Sequence, residues 1–168
     1  MKAIVAVDKR WGIGKKNGLL FSIKADMDFF RKTTAGKIVC MGYNTLLSFP
    51  NSKPLKNRVN IVLCPPEVER DDCIIVHTLD ELFAELEKYP TDDVFVIGGA
   101  MFYRIMLDYT EAIYVTKVDA DGGAEVFFEN LDEREGWVLD SVIGEATEGE
   151  YSMKFTLYRN LKAKKYGE

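Results

Sequence analysis

Histidine occurs once in these 168 residues, at His77, and cysteine three times, at Cys40, Cys64 and Cys73. A Cys/His zinc site or a Ser-His-Asp relay would have to be built on His77, which merely follows Ile-Ile-Val at the end of a strand-like run. The cysteines are odd in number, have no C-x-x-C spacing and lie in or beside apolar runs, the pattern of reduced structural thiols. Basic residues do not outnumber acidic ones: 22 Lys and Arg against 27 Asp and Glu leave a net charge of −5, which gives no support to a nucleic-acid or anionic-membrane partner. No apolar run reaches the roughly 18 residues of a membrane span, and the opening MKAIVAVD reads as a short strand. Together these features point to a soluble cytoplasmic protein whose chemistry needs neither metal nor thiol.

The rest of the composition is ordinary for a globular chain, 47% hydrophobic and 29% charged with 13 Gly and 5 Pro, and the length suits one domain over 1–168. Apolar runs bounded by turn residues predict eight strands, at 2–7, 38–41, 59–63, 73–76, 94–97, 112–118, 137–143 and 151–159, with four helices among them. The last two strands are spaced as a long antiparallel hairpin, and the tail from Lys162 to Glu168 is expected to fray. Thr78-x-x-Glu81 has the form of a capping box, opening a helix with Leu79, Leu82, Phe83 and Leu86 on its apolar face.

The stretch from Leu19 to Thr34 has helical periodicity, with Ser22 as the expected N-cap. Projected at about 100° per residue, Ile23, Met27, Phe29 and Phe30 share an apolar arc, while Lys24, Asp28, Arg31 and Lys32 share the opposite side. Asp26 falls within the apolar arc. A carboxylate there carries a large desolvation cost unless a donor, a cation or a proton meets it. Two readings follow: a core-edge carboxylate bonded to a backbone N–H or water, or a pocket group held for a ligand donor or a proton. Asp28, among three cations on the solvated side, is the internal control.

Two strands run through glycine directly into helices. Ile38 to Met41 is followed by Gly42 and then by Tyr43, Asn44 and Thr45; Val94 to Ile97 is followed by Gly98-Gly99 and then by Ala100, Met101 and Phe102. Such units bring backbone N–H groups and a positive dipole end to one sheet edge, and two of them suit a ligand with two phosphate-rich sections. Gly12, Gly14 and Gly18 only loosely match a dinucleotide fingerprint, because residues separate the first strand from Gly12 and no helix opens on them. A mobile surface loop is the expected form, with Trp11, Ile13, Leu19 and Leu20 able to close over a neighbouring site. Arg58, between a polar loop and the strand Val59 to Leu63, has the chemistry to clamp a carboxylate.

Taken in order, Ala6-Val7-Asp8, Gly12-Ile13-Gly14, Ala25-Asp26 with Phe30, Met41-Gly42 with Thr45, Arg58, Ile97-Gly98-Gly99-Ala100 with Tyr103, and Tyr114-x-Thr116 resemble dihydrofolate reductase of the bacterial chromosomal type. The resemblance covers nearly the whole chain. It implies an α/β fold with an eight-stranded, mainly parallel twisted sheet, and NADPH-dependent reduction of 7,8-dihydrofolate to tetrahydrofolate for one-carbon metabolism, open to antifolate inhibitors. It implies that Asp26 binds the pterin N3 and 2-amino group and that Thr116 supports it through a bridging water. Ile4, Val5, Ala6, Met27, Phe30, Leu55 and Ile97 then wall the pterin and benzoyl rings, and Arg58 pairs with the glutamate α-carboxylate. Gly42, Tyr43, Asn44 and Thr45, with Gly98, Gly99, Ala100, Met101 and Phe102, line the cofactor. Tyr103 stands beside the nicotinamide, and Ala6 and Ile97 also touch the cofactor. Leu63, Cys64 and His77 lie toward its 2′-phosphate, and the loop carrying Ile13, Gly14, Leu19 and Leu20 closes over it.

The chain departs from the family at several of these positions. Leu20-Phe21 stands where members commonly have Pro-Trp, so the indole N–H that meets the site's ordered water is missing; these two residues join Asp26 and Thr116 in the implied catalytic set. Lys24 replaces a proline. Tyr43-Asn44 and Cys64-Pro65 replace residues that recognise the 2′-phosphate, and His77 compensates in part. Gly123-Ala124-Glu125-Val126-Phe127-Phe128 replaces the usual Gly-Asp-Thr-x-Phe-Pro. Rival readings are a riboflavin-biosynthesis reductase, which calls for neither Asp26 nor Arg58, and a non-catalytic folate- or nucleotide-binding protein. Nothing in the sequence demands an oligomer, so a monomer is expected. The family resemblance predicts a higher kcat/KM with NADPH than with NADH; steady-state assays with both cofactors test this, and equal values contradict recognition of the 2′-phosphate.

Overall fold

Lys2–Val7 is apolar at nearly every position, and in the computed structural model it is covered on both faces, as a central parallel strand must be. The structure describes residues 1–16 and 18–168; Asn17, inside the glycine-rich segment, lies outside the described residues. In chain order the elements are β1 (Lys2–Val7), β2 (Gly12–Lys15), β3 (Gly18–Leu19), α1 (Lys24–Thr34), β4 (Ile38–Gly42), α2 (Tyr43–Ser48), β5 (Val59–Leu63), β6 (Ile74–Val76), α3 (Leu79–Leu86), β7 (Val94–Val96), α4 (Ala100–Met106), β8 (Ala112–Val118), β9 (Val126–Phe127), β10 (Trp137–Glu148) and β11 (Tyr151–Asn160). Eight of the strands form one sheet in the order β10-β11-β8-β1-β7-β4-β5-β6. It is parallel from β8 to β6 and antiparallel where β11 meets β8 and β10 meets β11. The expected architecture is therefore present.

Alternation along the strands sends side chains into two separate cores. Val5, Val7, Cys40 and Ile61 pack on one side with Leu82, Phe83 and Leu86 of α3 and Phe102 and Met106 of α4. Ile4, Val39, Met41 and Val62 pack on the other with Leu46 of α2 and Phe29 and Phe30 of α1. The capping box at Thr78 and Glu81 forms as the spacing predicts. Cys40, Cys64 and Cys73 are free thiols, and burial pushes Cys40 up to about 12. Among the described residues no helix is long and apolar enough to cross a membrane.

Three expectations need correction. The tail does not fray: Lys164 N donates to Asp108 O at 2.8 Å, and Tyr166 stacks on Phe83 at 5.5 Å. The tenth strand runs to Glu148, beyond 143, because bulges in its pairing with β11 let the ladder continue. The glycine-rich segment is not an open loop but part of a second sheet, ordered β3-β2-β9. Its anchor is Asp8, only 1% exposed. The Asp8 carboxylate accepts from Arg10 N at 2.8 Å, Gly12 N at 2.7 Å and Gly122 N at 3.0 Å, tying two loops to the end of β1. Gly12 must be glycine, since a Cβ would collide with Ala124 and with the Asp8 carboxylate. Trp11 holds φ of 63° beside it and stacks on Phe128 at 6.3 Å.

Hydrogen bonds to a charged group contribute roughly 1.5–3 kcal/mol each. Asp8→Ala should therefore lower the unfolding free energy by about 2–3 kcal/mol in chemical denaturation, and a loss below about 0.5 kcal/mol, the range of surface substitutions, contradicts the anchoring role.

Candidate functional site

Helix α1 separates its two aspartates by environment, as its periodicity predicts. On the outer face Asp28 accepts from Lys24 Nζ and Arg31 Nη2, both at 2.8 Å, and Lys24 is the main reason its pKa is lowered. On the inner face Asp26 has the opposite shift: burial raises its pKa, and the Thr116 hydroxyl partly offsets the rise. Thr116 is 1% exposed, and among the described residues its Oγ1 has no hydrogen-bond partner. The hydroxyl is close enough to influence Asp26 without reaching it in bonding geometry. A half-buried carboxylate beside a buried orphan hydroxyl calls for a donor or water between them. Ser22 does not cap this helix; the N-cap residue is Ile23, without a side-chain bond, and Ser22 Oγ contacts Met27 Sδ at 4.0 Å.

The strands around Asp26 bring the expected substrate-side residues together. Ala6 of β1 lies opposite Thr116 of β8 in the parallel register, with Ile4 and Val5 leading up to it. Ile4, Ile97, Phe30 and Leu55 belong to one apolar cluster, while Met27 is 55% exposed. At the far end of α1, Arg58 Nη1 donates to Thr34 Oγ1 at 3.2 Å and its guanidinium lies 5.9 Å from the centre of the Phe30 ring. Burial, followed by the neighbouring charge of Arg31, lowers its pKa, and among the described residues it forms no salt bridge. It is a cation in want of an anion. Its loop is fixed by Asn60, which exchanges hydrogen bonds with Leu55 N at 3.0 Å and Leu55 O at 2.9 Å and also donates to Arg58 O at 3.2 Å. Asn60 was not among the candidates, although a lone amide inside the apolar run of β5 is a readable signal.

The two glycine-ended strands do meet. Gly42 N donates to Gly98 O at 2.9 Å, and Ile97 N donates to Cys40 O at 3.0 Å. Gly98 has φ of 134°, and a Cβ on it would lie 3.3 Å from Thr45 Oγ1 and 3.6 Å from the Tyr103 ring. Thr45 and the Gly98-Gly99 backbone thus form a cradle that side chains would fill. Tyr103 OH donates to Ile4 O at 2.7 Å, which holds the ring against β1, and burial raises its pKa. Ala100 opens α4, Met101 is 71% exposed, and Phe102 is buried in the core. At the outer edge, Tyr43 is half-buried and Asn44 exposed, while Leu63 ends β5. His77 Nδ1 lies 3.3 Å from Cys64 O and 3.0 Å from Pro65 O. Arg70, not foreseen, is held beside them by Asp72 at 2.9 and 2.7 Å and by Ser52 O at 2.6 Å.

Leu20 packs on the Gly122 loop, and Phe21 meets Tyr151, at the start of β11, edge-on at 5.2 Å. Leu19 is 82% exposed. Ile13 and Gly14 are in β2, where Gly14 pairs with Leu19 and Val126. Glu125 completes this contact: its Oε1 accepts from Lys16 N at 2.9 Å, and its own N–H donates to Gly14 O at 2.9 Å.

A parallel sheet with paired strand–glycine–helix units, a half-buried carboxylate near one end of a helix and, at the other, an arginine without an ion pair among the described residues defines an α/β enzyme for a phosphate-rich cofactor and an anionic small substrate. The comparisons with known proteins specify which. The model of the dihydrofolate reductase family matches residues 1–160, and the chain belongs to that family. It is 31% identical over 166 residues to dihydrofolate reductase of Bacillus subtilis (strain 168), covering 98% of this chain and 96% of that one. It is 32% identical over 180 aligned positions to dihydrofolate reductase of Schistosoma mansoni, with 94% and 95% covered. Its fold matches dihydrofolate reductase from Enterococcus faecalis complexed with NADP(H) and RAB-propyl with a TM-score of 0.82, at 25% identity and 95% coverage of each chain. This chain is accordingly an NADPH-dependent oxidoreductase of 7,8-dihydrofolate, and neither rival reading gains support.

Because burial raises the pKa of Asp26 above its unfolded value, its charged form costs stability above the folded-state pKa. That cost is relieved as pH falls through the folded-state pKa toward the unfolded value. Asp26→Asn should therefore be more stable than the wild type at neutral pH, and the advantage should shrink on acidification. Parallel denaturation curves across that range check the sign, and a variant less stable at neutral pH contradicts it.

Proposed function

We propose that Asp26 and Thr116 anchor the pterin ring of dihydrofolate while Arg58 takes a carboxylate of its glutamate tail. The observation that carries this reading is the buried, unpartnered Thr116 hydroxyl beside a carboxylate whose proton affinity is raised by burial. The pterin N3 and 2-amino group offer the donors that pair lacks. Ile4, Val5, Ala6, Met27, Phe30, Leu55 and Ile97 supply the walls, and the Phe30 ring under Arg58 joins the two ends of the substrate site.

When bound, NADPH supplies the hydride that the pterin C6 accepts. The residues fit it: the Gly98-Gly99 backbone and Thr45 Oγ1 leave room for a pyrophosphate, and Tyr103 stands over β1 where the nicotinamide meets the pterin. Gly42, Tyr43, Asn44, Ala100, Met101 and Phe102 surround that cradle, and Leu63, Cys64 and His77 form the edge toward the adenosine end. Ile13, Gly14, Leu19 and Leu20 close over the front, excluding bulk water. Asp26 holds one edge of the ring, opposite N5, so it acts by orientation and electrostatics, and the proton for N5 arrives through water. With Phe21 packed on Tyr151, no indole donor takes part. The protein works as a cytoplasmic monomer.

Asp26→Asn is expected to lower turnover at neutral pH by on the order of 10² or more. The assay is the loss of reduced-nicotinamide absorbance on adding dihydrofolate, with inhibition by a diaminopyrimidine antifolate as the specificity control. Unchanged steady-state turnover removes Asp26 from its role.

A further inference from the structure

Helix α1 has no cap of its own, and the group that replaces one comes from more than a hundred residues away. Ile23 at the N-cap has no side-chain acceptor to offer, and the Ser22 hydroxyl is turned toward Met27 Sδ. The first N–H groups of a helix need acceptors. Here Lys24 N donates to Glu148 Oε2 at 2.8 Å and Ala25 N to Glu148 Oε1 at 2.9 Å, so both carboxylate oxygens are used and their orientation is fixed. The bonding requires a residue with an N–H at position 24. The next residue along the helix is Asp26.

Glu148 ends β10 at the tip of the β10–β11 hairpin, paired with Tyr151 across a turn in which Gly149 has φ of 60°. The same hairpin supports the site by a second route. Ile23, Ala25 and Phe29 of the α1 segment pack with Met153 and Phe155 of β11, Phe29 stacks on Phe155 at 4.7 Å, and Phe155 is the register partner of Thr116. One ladder therefore carries both the clamp on the turn bearing Asp26 and the strand position that abuts Thr116. We propose that Glu148 is a positioning residue for the reductase: by capping α1 from the hairpin tip, it fixes the Asp26 carboxylate at the distance from Thr116 that the pterin spans. The proposal rests on the reading of Asp26 as the pterin anchor.

The test compares Glu148→Ala and Glu148→Gln with the wild type, with Glu150→Gln as the control for loss of one charge at the same tip. The readouts are hydrogen exchange of the Lys24 and Ala25 amides in the full chain and the separate kcat and KM for dihydrofolate. Loss of a helix cap corresponds to a factor of about five to ten, so Glu148→Ala is expected to speed exchange of both amides and raise the dihydrofolate KM by about that factor. Glu148→Gln keeps one acceptor and should recover most of the KM, and Glu150→Gln should match the wild type. Faster exchange with KM within about twofold of the wild type overturns the positioning role, because an ordinary cap lost without consequence at Asp26 gives that result. Should the alanine variant not fold, Glu148→Asp decides, because it shortens the side chain by one methylene: faster exchange of both amides with a dihydrofolate KM within about twofold of the wild type overturns the proposal. The underlying reading is tested apart, by Asp26→Asn; its failure would show as undiminished turnover in that variant, while the amide exchange still reports the cap.

Discussion

A half-buried carboxylate next to a buried hydroxyl with no partner among the described residues is the condition on which this site is organised. Asp26 is placed on the inner face of α1 by periodicity, and Thr116 is placed beside it by the register of β8 against β1. The Thr116 hydroxyl, wholly buried, has no hydrogen-bond partner among the described residues. Buried polar groups left in that state are costly, so their persistence marks a place where stability is given up for binding. Arg58 repeats the pattern with opposite charge: it is partly desolvated, repelled by Arg31, and among the described residues forms no salt bridge. Between them the Phe30 ring spans the interval that a ligand with a polar ring at one end and an anion at the other would cover.

The rest of the fold keeps these unsatisfied groups in place. The central strands are apolar on both faces and supply a rigid floor, with Tyr103 bonded to Ile4 O across it. Asp8 ties the end of β1 to the loops on either side, and Glu125 and Val126 hold β2 from the other flank. Trp11 sits among Phe128, Tyr158 and the Lys117 ammonium, which lies 5.1 Å from its ring. The covering segment is thus rooted in buried contacts at its base and carries Leu19 exposed at its far end.

Much of this was legible in the sequence because it depends on local pattern. Apolar runs located all eight strands of the main sheet, the capping box located α3, and the phase of Asp26 relative to Phe29 and Phe30 distinguished it from Asp28. What was not legible depends on pairing between distant segments. Ser22 has the chemistry of an N-cap, yet Glu148 fills that place, and no local feature of the hairpin announces it. Glu125 serves the covering segment from a loop whose departure from the family pattern hid its role. The glycine-rich segment was expected as a mobile loop because its strands are short and the second partner of β2, Val126–Phe127, lies more than a hundred residues on. The tail was expected to fray because Tyr166 has its partner, Phe83, in α3. Asn60 was readable in principle, as one amide in an otherwise apolar strand.

The central claim is that the pterin ring completes the Asp26–Thr116 pair. A crystal structure of the full chain with folate and oxidised cofactor measures this directly. The account predicts both Asp26 carboxylate oxygens at about 2.7–3.1 Å from the pterin N3 and 2-amino nitrogen, with Thr116 Oγ1 joined to the same ring through one water. A pterin seated elsewhere, with Thr116 Oγ1 still lacking a partner, would contradict it.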